Sequence, residues 1–297
     1  MPEELPSPEF IAQAVGYGVV LPAIVTALVL FTLGSLSRIP GRVAGAIAFL
    51  AGFLAGWVVL CKTSFSKPLF QFEDEWQWLP VWVSVAVVAD LVDLLFRKRR
   101  PIGLAVRCGV IVVVAFVAAE FLVSHFPART PGDAPPAEAR PQLLNAFRLA
   151  VACFWFVIPL AVSRGFPVVL LALSVLFSSM VLELGGTGIN AQLAGLAGGV
   201  LLGCASAAWW KPDAEFTRAM VPGVAVALPA LLFNGYLDSY STVPLASYAL
   251  AGLASFALLL GLLPFVRKMP FMRRSAILLV AILLPLGVAL TLALKAA

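Results

Sequence analysis

Charge is what this sequence has least of. Asp, Glu, Lys and Arg make up 12% of 297 residues, against about 25% in an ordinary soluble domain. A soluble chain of this length buries a large core and still needs a charged surface to cover it. Here hydrophobic residues reach 62% and mean hydropathy is +1.02, so the apolar surface is expected to face lipid. Histidine is almost missing. The single His125 excludes a haem held by two histidines of this chain. It also leaves Ser or Cys nucleophiles without a recognisable base. Cys61, Cys108, Cys153 and Cys204 are isolated, with no CxxC pair, so neither a disulfide framework nor a metal site is indicated. No phosphate-binding loop is present. A positively charged leader is also lacking: Met1–Phe10 carries Glu3, Glu4 and Glu9 and no base, so the first apolar run reads as a retained helix.

What is present are ten apolar runs. A membrane-spanning helix needs about 20 apolar residues at about 1.5 Å each. The runs cover roughly 11–33, 42–61, 79–96, 101–125, 143–163, 166–184, 189–210, 217–236, 244–265 and 274–295. The third is short and extends naturally into the Trp-rich stretch before it. The eighth is the weakest, with Pro222, Pro229 and Gly235 inside it. The expected fold is therefore all-α, a single integral domain of about ten transmembrane helices.

The net charge of +5 does not point to nucleic acid. The basic residues sit in short clusters between apolar runs, where membrane topology accounts for them. With the N-terminus outside, fourteen of the twenty Lys and Arg fall at cytoplasmic loops and helix ends, and six fall outside. One helix more or fewer would scatter the clusters over both faces. The expectation is a multi-pass protein of an inner or plasma membrane with both termini external.

Two external segments exceed a turn. Cys61–Leu79 interleaves Phe65, Phe70, Phe72, Trp76 and Trp78 with Glu73, Asp74 and Glu75, which suits a short helix lying in the interface. Residues 127–141 hold five prolines and read as a flexible loop.

The chain also suggests two halves, 11–163 and 166–295. Val19-Val20-Leu21 in the first helix matches Val168-Val169-Leu170 in the sixth. Ala44, Ala48, Gly52 and Gly56 in the second match Ala191, Gly195, Gly199 and Gly203 in the seventh. Ile158-Pro159-Leu160 echoes Leu284-Pro285-Leu286. Five helices per half would make the repeat inverted, a common construction of secondary transporters. Against this, a chain dominated by Ala, Leu, Val and Gly produces chance matches. The two ladders stand on their own. Small residues four apart share a helix face and let backbones approach closely. They mark tight packing inside the bundle, or else a sliding or dimer interface.

Charges at membrane depth are costly and usually paired. Asp90 lies seven residues before Arg97, and Arg107 lies seven after Arg100, so each is about 10 Å inside the basic cluster. The two are expected to pair, with Asp93 pairing to Arg97. Toward the other face, Glu120 and Arg148 lie at similar depth on the fourth and fifth helices, with Asn145 one turn above Arg148. Both pairs either lock the helices or line a polar route, with Glu120 or Asp90 as the titrating proton or cation site. A second polar cluster gathers Glu183, Thr187, Asn190 and Gln192 around Gly185-Gly186, together with Asn234, Tyr236, Asp238 and Tyr240. It reads either as an ordinary interfacial loop or as a ligand-facing turn.

An enzyme acting on lipid diphosphates would hold Mg²⁺ with paired aspartates, and Asp90 and Asp93 are three apart. Such sites need a second acidic pair. On this face only Asp213 and Glu215 are near, so the chain is read as a non-enzyme without cofactor. The leading expectation is a secondary transporter or permease for a small solute, proton- or cation-coupled. The alternative is a non-catalytic membrane subunit that packs against a partner protein or a second copy through its glycine faces.

The orientation has a direct test. In a background lacking the four native cysteines, single cysteines at Thr130 and Asp238 should react with an impermeant thiol reagent added outside. Cysteines at Lys98 and Lys268 should not, and external labelling at Lys98 would reverse the topology.

Overall fold

In a computed structural model the described residues are 8–36, 39–65, 74–92, 100–123, 139–162, 165–210, 214–238 and 243–296. They form helices throughout, with no strand among them. We number the ten long elements α1 to α10. α1 comprises Pro8–Val15, a π-helical stretch Gly16–Val20, and Leu21–Ser35; α2 is Gly41–Leu60 continued by a π-helical Cys61–Phe65. Next come α3 (Glu75–Val92), α4 (Arg100–Val123), α5 (Ala139–Ala161), α6 (Gly165–Leu184) and α7 (Gly188–Trp210). α8 is Val221–Asp238, preceded by the short helix Ala214–Arg218. α9 is α-helical over Leu245–Ala254 and 3₁₀ over Ser255–Leu262, and α10 is Phe271–Ala296. Among the described residues nine helices are long and apolar enough to cross a membrane, and α3 adds a shorter tenth, Trp76–Val92. The chain is an integral membrane protein. Odd-numbered helices start at one face, here the N-terminal face, and even-numbered ones at the other, the basic face.

Local chemistry explains where the elements bend and begin. Pro22 has no N–H to give the carbonyl four residues back. The backbone widens instead, and the Leu21 N–H reaches the Gly16 carbonyl five residues back. α3 starts earlier than residue 79 because Asp74 and Gln77 form a cap. The Asp74 N–H donates to Gln77 Oε1 at 3.1 Å, and the Gln77 N–H donates to the Asp74 carbonyl at 3.1 Å. Trp76 Nε1–H adds a bond to Asp74 Oδ2 at 3.2 Å. The expected interfacial helix over 61–79 is corrected accordingly. Its first residues prolong α2 and its last residues open α3, while 66–73 lie outside the described residues. The greater part of the proline-rich loop, 127–138, also lies outside them, and its last residues open α5.

α8 is the centre of the bundle, and its proline-rich sequence does not make it weak. It packs against α3, α4, α5, α6, α7 and α9, and most of its side chains are buried. A helix enclosed on all sides shows no lipid-facing stripe. Ala225, Ala227, Ala230 and Gly235 keep it slender enough for that position. α1, α4 and α10 sit at the periphery, with Leu28, Val113 and Leu284 at least 60% exposed and directed to lipid.

Both small-residue ladders grip the same helix. Ala44 and Ala48 are fully buried, and α2 and α7 both lie along α1. Thr26 of α1 is fully buried and bonds back to the Pro22 carbonyl at 2.7 Å. A Cβ at Gly52 would overlap its hydroxyl, and one at Gly203 would lie 2.9 Å from its Cβ. Gly56 receives Pro22 and Leu196, and Gly199 receives the Val19 backbone. Ala191 is 6% exposed. The ladders therefore serve packing inside the bundle.

Contacts within the proposed halves correspond, since α1 lies on α2 as α6 lies on α7, and α4 on α5 as α9 on α10. Contacts between the halves do not exchange in the same way. α1 packs extensively on α7, whereas α6 makes no comparable contact with α2 among the described residues. The packing adds nothing in favour of an inverted repeat.

The glycines of one ladder are not equivalent. At Gly195 an added Cβ meets only Val19 Cγ2, at 3.5 Å, which is ordinary contact. At Gly199 it meets backbone that cannot move aside. Gly195→Ala should leave thermal melting in detergent unchanged or slightly raised. Gly199→Ala should cost about 1–3 kcal/mol from overpacking. Equal melting of the two variants would remove the groove from the account.

Candidate functional site

Asp90 lies in the last described turn of α3, and its side chain is 2% exposed. Four consecutive helices meet there. Arg42, in the first turn of α2, donates from Nε to Oδ2 at 3.0 Å and from Nη2 to the same oxygen. Its Nη2 also donates to the Asp90 backbone carbonyl at 3.1 Å. From α4, Arg107 Nε stands 3.3 Å from Oδ1, an ion-pair contact without hydrogen-bond alignment. From α5, Trp155 Nε1–H points to Oδ1 at 3.4 Å, with its ring fully buried.

The expected Asp90–Arg107 pair is present, but it is the lesser one. The main partner is Arg42, one of the fourteen basic residues that the sequence places at the loops and helix ends of this face. A signal existed. Arg42 stands one residue inside α2 and Asp90 two residues from the described end of α3, so antiparallel neighbours bring them level. Nothing in the sequence marked Trp155. Asp93 and Arg97 lie outside the described residues.

Toward the N-terminal face, Glu120 and Arg148 pair as expected. Arg148 Nη2 donates to Glu120 Oε1 at 2.8 Å, and Nη1 donates to Asn145 Oδ1 at 3.1 Å. The guanidinium also lies over the Phe116 ring, 4.3 Å from its centroid, a favourable cation–π arrangement. The two carboxylates differ in exposure, 54% for Glu120 against 2% for Asp90, while Arg148 at 20% and Arg107 at 25% are alike. Arg107 and Glu120 are thirteen residues apart on α4, about 20 Å along the axis, so α4 carries one charge of each group.

The glycine-rich turn between α6 and α7 has a structural explanation. Gly186 has φ +74°, the Thr187 N–H reaches the Leu182 carbonyl at 3.1 Å, and the Gly186 N–H reaches the Glu183 carbonyl at 2.9 Å. This is a Schellman helix stop, for which Gly suits the left-handed position. A Cβ at Gly185 would overlap the Tyr248 hydroxyl, and one at Gly235 would overlap Leu182 and approach Thr187 Oγ1 to 3.4 Å. Tyr236 and Tyr248 stack edge to face at 5.8 Å. The turn, α8 and α9 thus converge as a unit.

The members of that cluster differ in burial. Glu183 is exposed, with its carboxylate near Gly188 at the start of α7. Asp238 is half-buried, whereas Asn190 and Asn234 are 5% and 3% exposed. Tyr240 lies outside the described residues. No family model, curated protein or solved structure matches the chain.

The Asp90 network has a stability signature. Asp90→Asn leaves two half-buried guanidinium groups facing a neutral, buried side chain and should cost about 3 kcal/mol. Arg42→Gln should cost more than Arg107→Gln, because it removes three hydrogen bonds rather than one charge contact. In a double-mutant cycle read by melting, Asp90→Asn with Arg42→Gln should recover part of the single losses. Strict additivity would show that the two residues do not interact.

Proposed function

We propose that this chain is a secondary permease for a small solute, with Glu120 as its proton- or cation-responsive group. The observation that carries the reading is the unequal state of the two charge clusters on α4. Near the basic face the Asp90 carboxylate is buried beneath Arg42, Arg107 and Trp155. Near the N-terminal face the Glu120 carboxylate is largely exposed while paired with Arg148. A protein that exposes an interior site alternately to each side needs locks at two depths, one shut while the other is open. The irregular backbone of α1 and α9 fits the same reading, since π and 3₁₀ stretches at membrane depth recur at hinges and sites. Transport without ATP follows from the absence of a phosphate-binding loop in the sequence.

The competing reading is a non-catalytic subunit of a membrane assembly or a homo-oligomer. The burial of Asp90 favours it, because a permanently paired charge is also what a static lock requires. Its expected docking faces, however, are already occupied, since both glycine ladders enclose α1. A partner would have to use the lipid-facing apolar surfaces instead.

Reconstitution separates the two readings. Proteoliposomes with a panel of small solutes and an internal pH dye should show solute flux that depends on pH at the N-terminal face. Glu120→Gln should flatten that dependence while the protein stays folded. An unchanged profile in Glu120→Gln would make the residue structural. If no solute moves, the subunit reading takes over and co-purifying membrane proteins become its test.

A further inference from the structure

Four buried serines on α6 and α9 are used by neither charge cluster. Ser174 and Ser255 face each other with their hydroxyl oxygens 2.8 Å apart, and both are fully buried. Ser178 is fully buried one turn along α6 and donates to the Ser174 carbonyl at 2.9 Å. Ser174 lies ten residues from the end of α6 at Leu184, and Ser255 ten from the start of α9 at Leu245. Each is therefore about 15 Å from the N-terminal face, which is the middle of a hydrocarbon layer about 30 Å thick.

The backbone changes at the same place. α9 switches from α-helix to 3₁₀ at Ser255 and stays 3₁₀ through Leu262, longer than the three or four residues usual for such stretches.

Further polar atoms connect this level to the N-terminal face. Asn234 Oδ1 on α8 and Ser247 Oγ on α9 are buried and have no hydrogen-bond partner among the described residues. Asn234 is four residues from the end of α8, and Ser247 two from the start of α9. α8 and α9 pack together here, as the Tyr236–Tyr248 contact shows. The described stretches of α6, α8 and α9 carry only two acidic groups, Glu183 and Asp238, and both lie at the N-terminal face, at the C-terminal ends of α6 and α8, not in the middle of the seam.

We propose that the seam between α6, α8 and α9 binds a small neutral solute through Ser174 and Ser255, reached from the N-terminal face past Ser247, Asn234 and Ser178. Hydroxyl and amide groups without a charge recognise a molecule that both donates and accepts hydrogen bonds, such as a polyol or an amide. A charged solute would be stranded there without a counter-ion. This deepens the permease reading and rests on it for the solute's passage, but binding is measurable alone.

Three measurements test it. The first is the melting temperature of detergent-solubilised protein with glycerol, urea, acetate or methylammonium. Glycerol or urea should raise it in the wild type beyond any shift in the Ser174→Ala/Ser255→Ala double variant, and the two ions should not. The second is flux of the same four compounds in proteoliposomes, where the double variant should lose at least tenfold for the neutral ones. The third is a single cysteine, Ser255→Cys, in a cysteine-free background, which should react slowly with a small thiol reagent from the N-terminal face and be protected by the stabilising solute. Binding without flux would retain the site and overturn the permease. Flux of ions alone, or neutral flux and melting shifts unchanged by the double variant, would overturn the site and leave the permease standing. A double variant that fails to fold leaves the decision to Ser255→Cys, where absence of both labelling and protection overturns the proposal.

Discussion

Hydrocarbon supplies no hydrogen bonds, so every polar group at membrane depth must be satisfied by another part of the protein. That constraint sorts the polar residues of this chain. Thr26 turns its hydroxyl back to its own helix and becomes a spacer between two glycines. Asp90 draws hydrogen-bond donors from α2 and α5 and a charge contact from α4, and so joins four elements. Ser174 and Ser255 satisfy one another across a seam. Each solution also fixes which helices are neighbours, because a pair formed in the wrong register leaves a charge or hydroxyl without a partner.

Packing then settles what polarity does not. Without a hydrophobic drive between helices in lipid, association rests on close contact and on the few polar bonds. α1 is mostly lipid-facing, yet it is gripped along one side where α2 and α7 present small residues. Its backbone comes close enough that Val19 and Ala23 carbonyl oxygens occupy the space of missing side chains. The π-helical stretch at Gly16–Val20 lies next to that contact. The same proline that breaks the hydrogen-bond ladder supplies, through its carbonyl, the acceptor for Thr26 and, through its ring, the contact for Gly56.

The ten helices were legible because length and hydropathy report directly on membrane thickness. Their boundaries shifted where caps rather than hydropathy decide, as at Asp74–Gln77. Glu120–Arg148–Asn145 was legible because helical spacing and equal depth suffice for neighbours joined in sequence. Arg42–Asp90 was missed because depth was counted from basic clusters rather than helix ends. Trp155 carries no signal at all, since an indole N–H is indistinguishable in sequence from any core aromatic. The centrality of α8 was inverted for a similar reason. Prolines lower helix propensity, but propensity says little about a helix whose backbone bonds are shielded on every side. The serine seam was passed over because single serines in apolar runs are ordinary, and only their meeting across α6 and α9 sets them apart.

Adjacent residues on α5 tie the charged and uncharged sites together. Trp155 bonds to Asp90, and beside it Phe154 meets Phe256 of α9 edge to face at 4.8 Å. Phe256 follows Ser255, where α9 changes its helical pitch. A shift of α5 that releases Asp90 therefore moves the ring packed on the first 3₁₀ residues of α9. Packed cores have discrete arrangements rather than continuous ones, so the lock at the basic face and the serine level in the middle of the bundle are mechanically joined. The Glu120–Arg148 pair acts on α5 from the other end, through Arg148. One helix thus contacts both charge clusters and the seam between α6 and α9, so α5 rather than the enclosed α8 is the element that links all three.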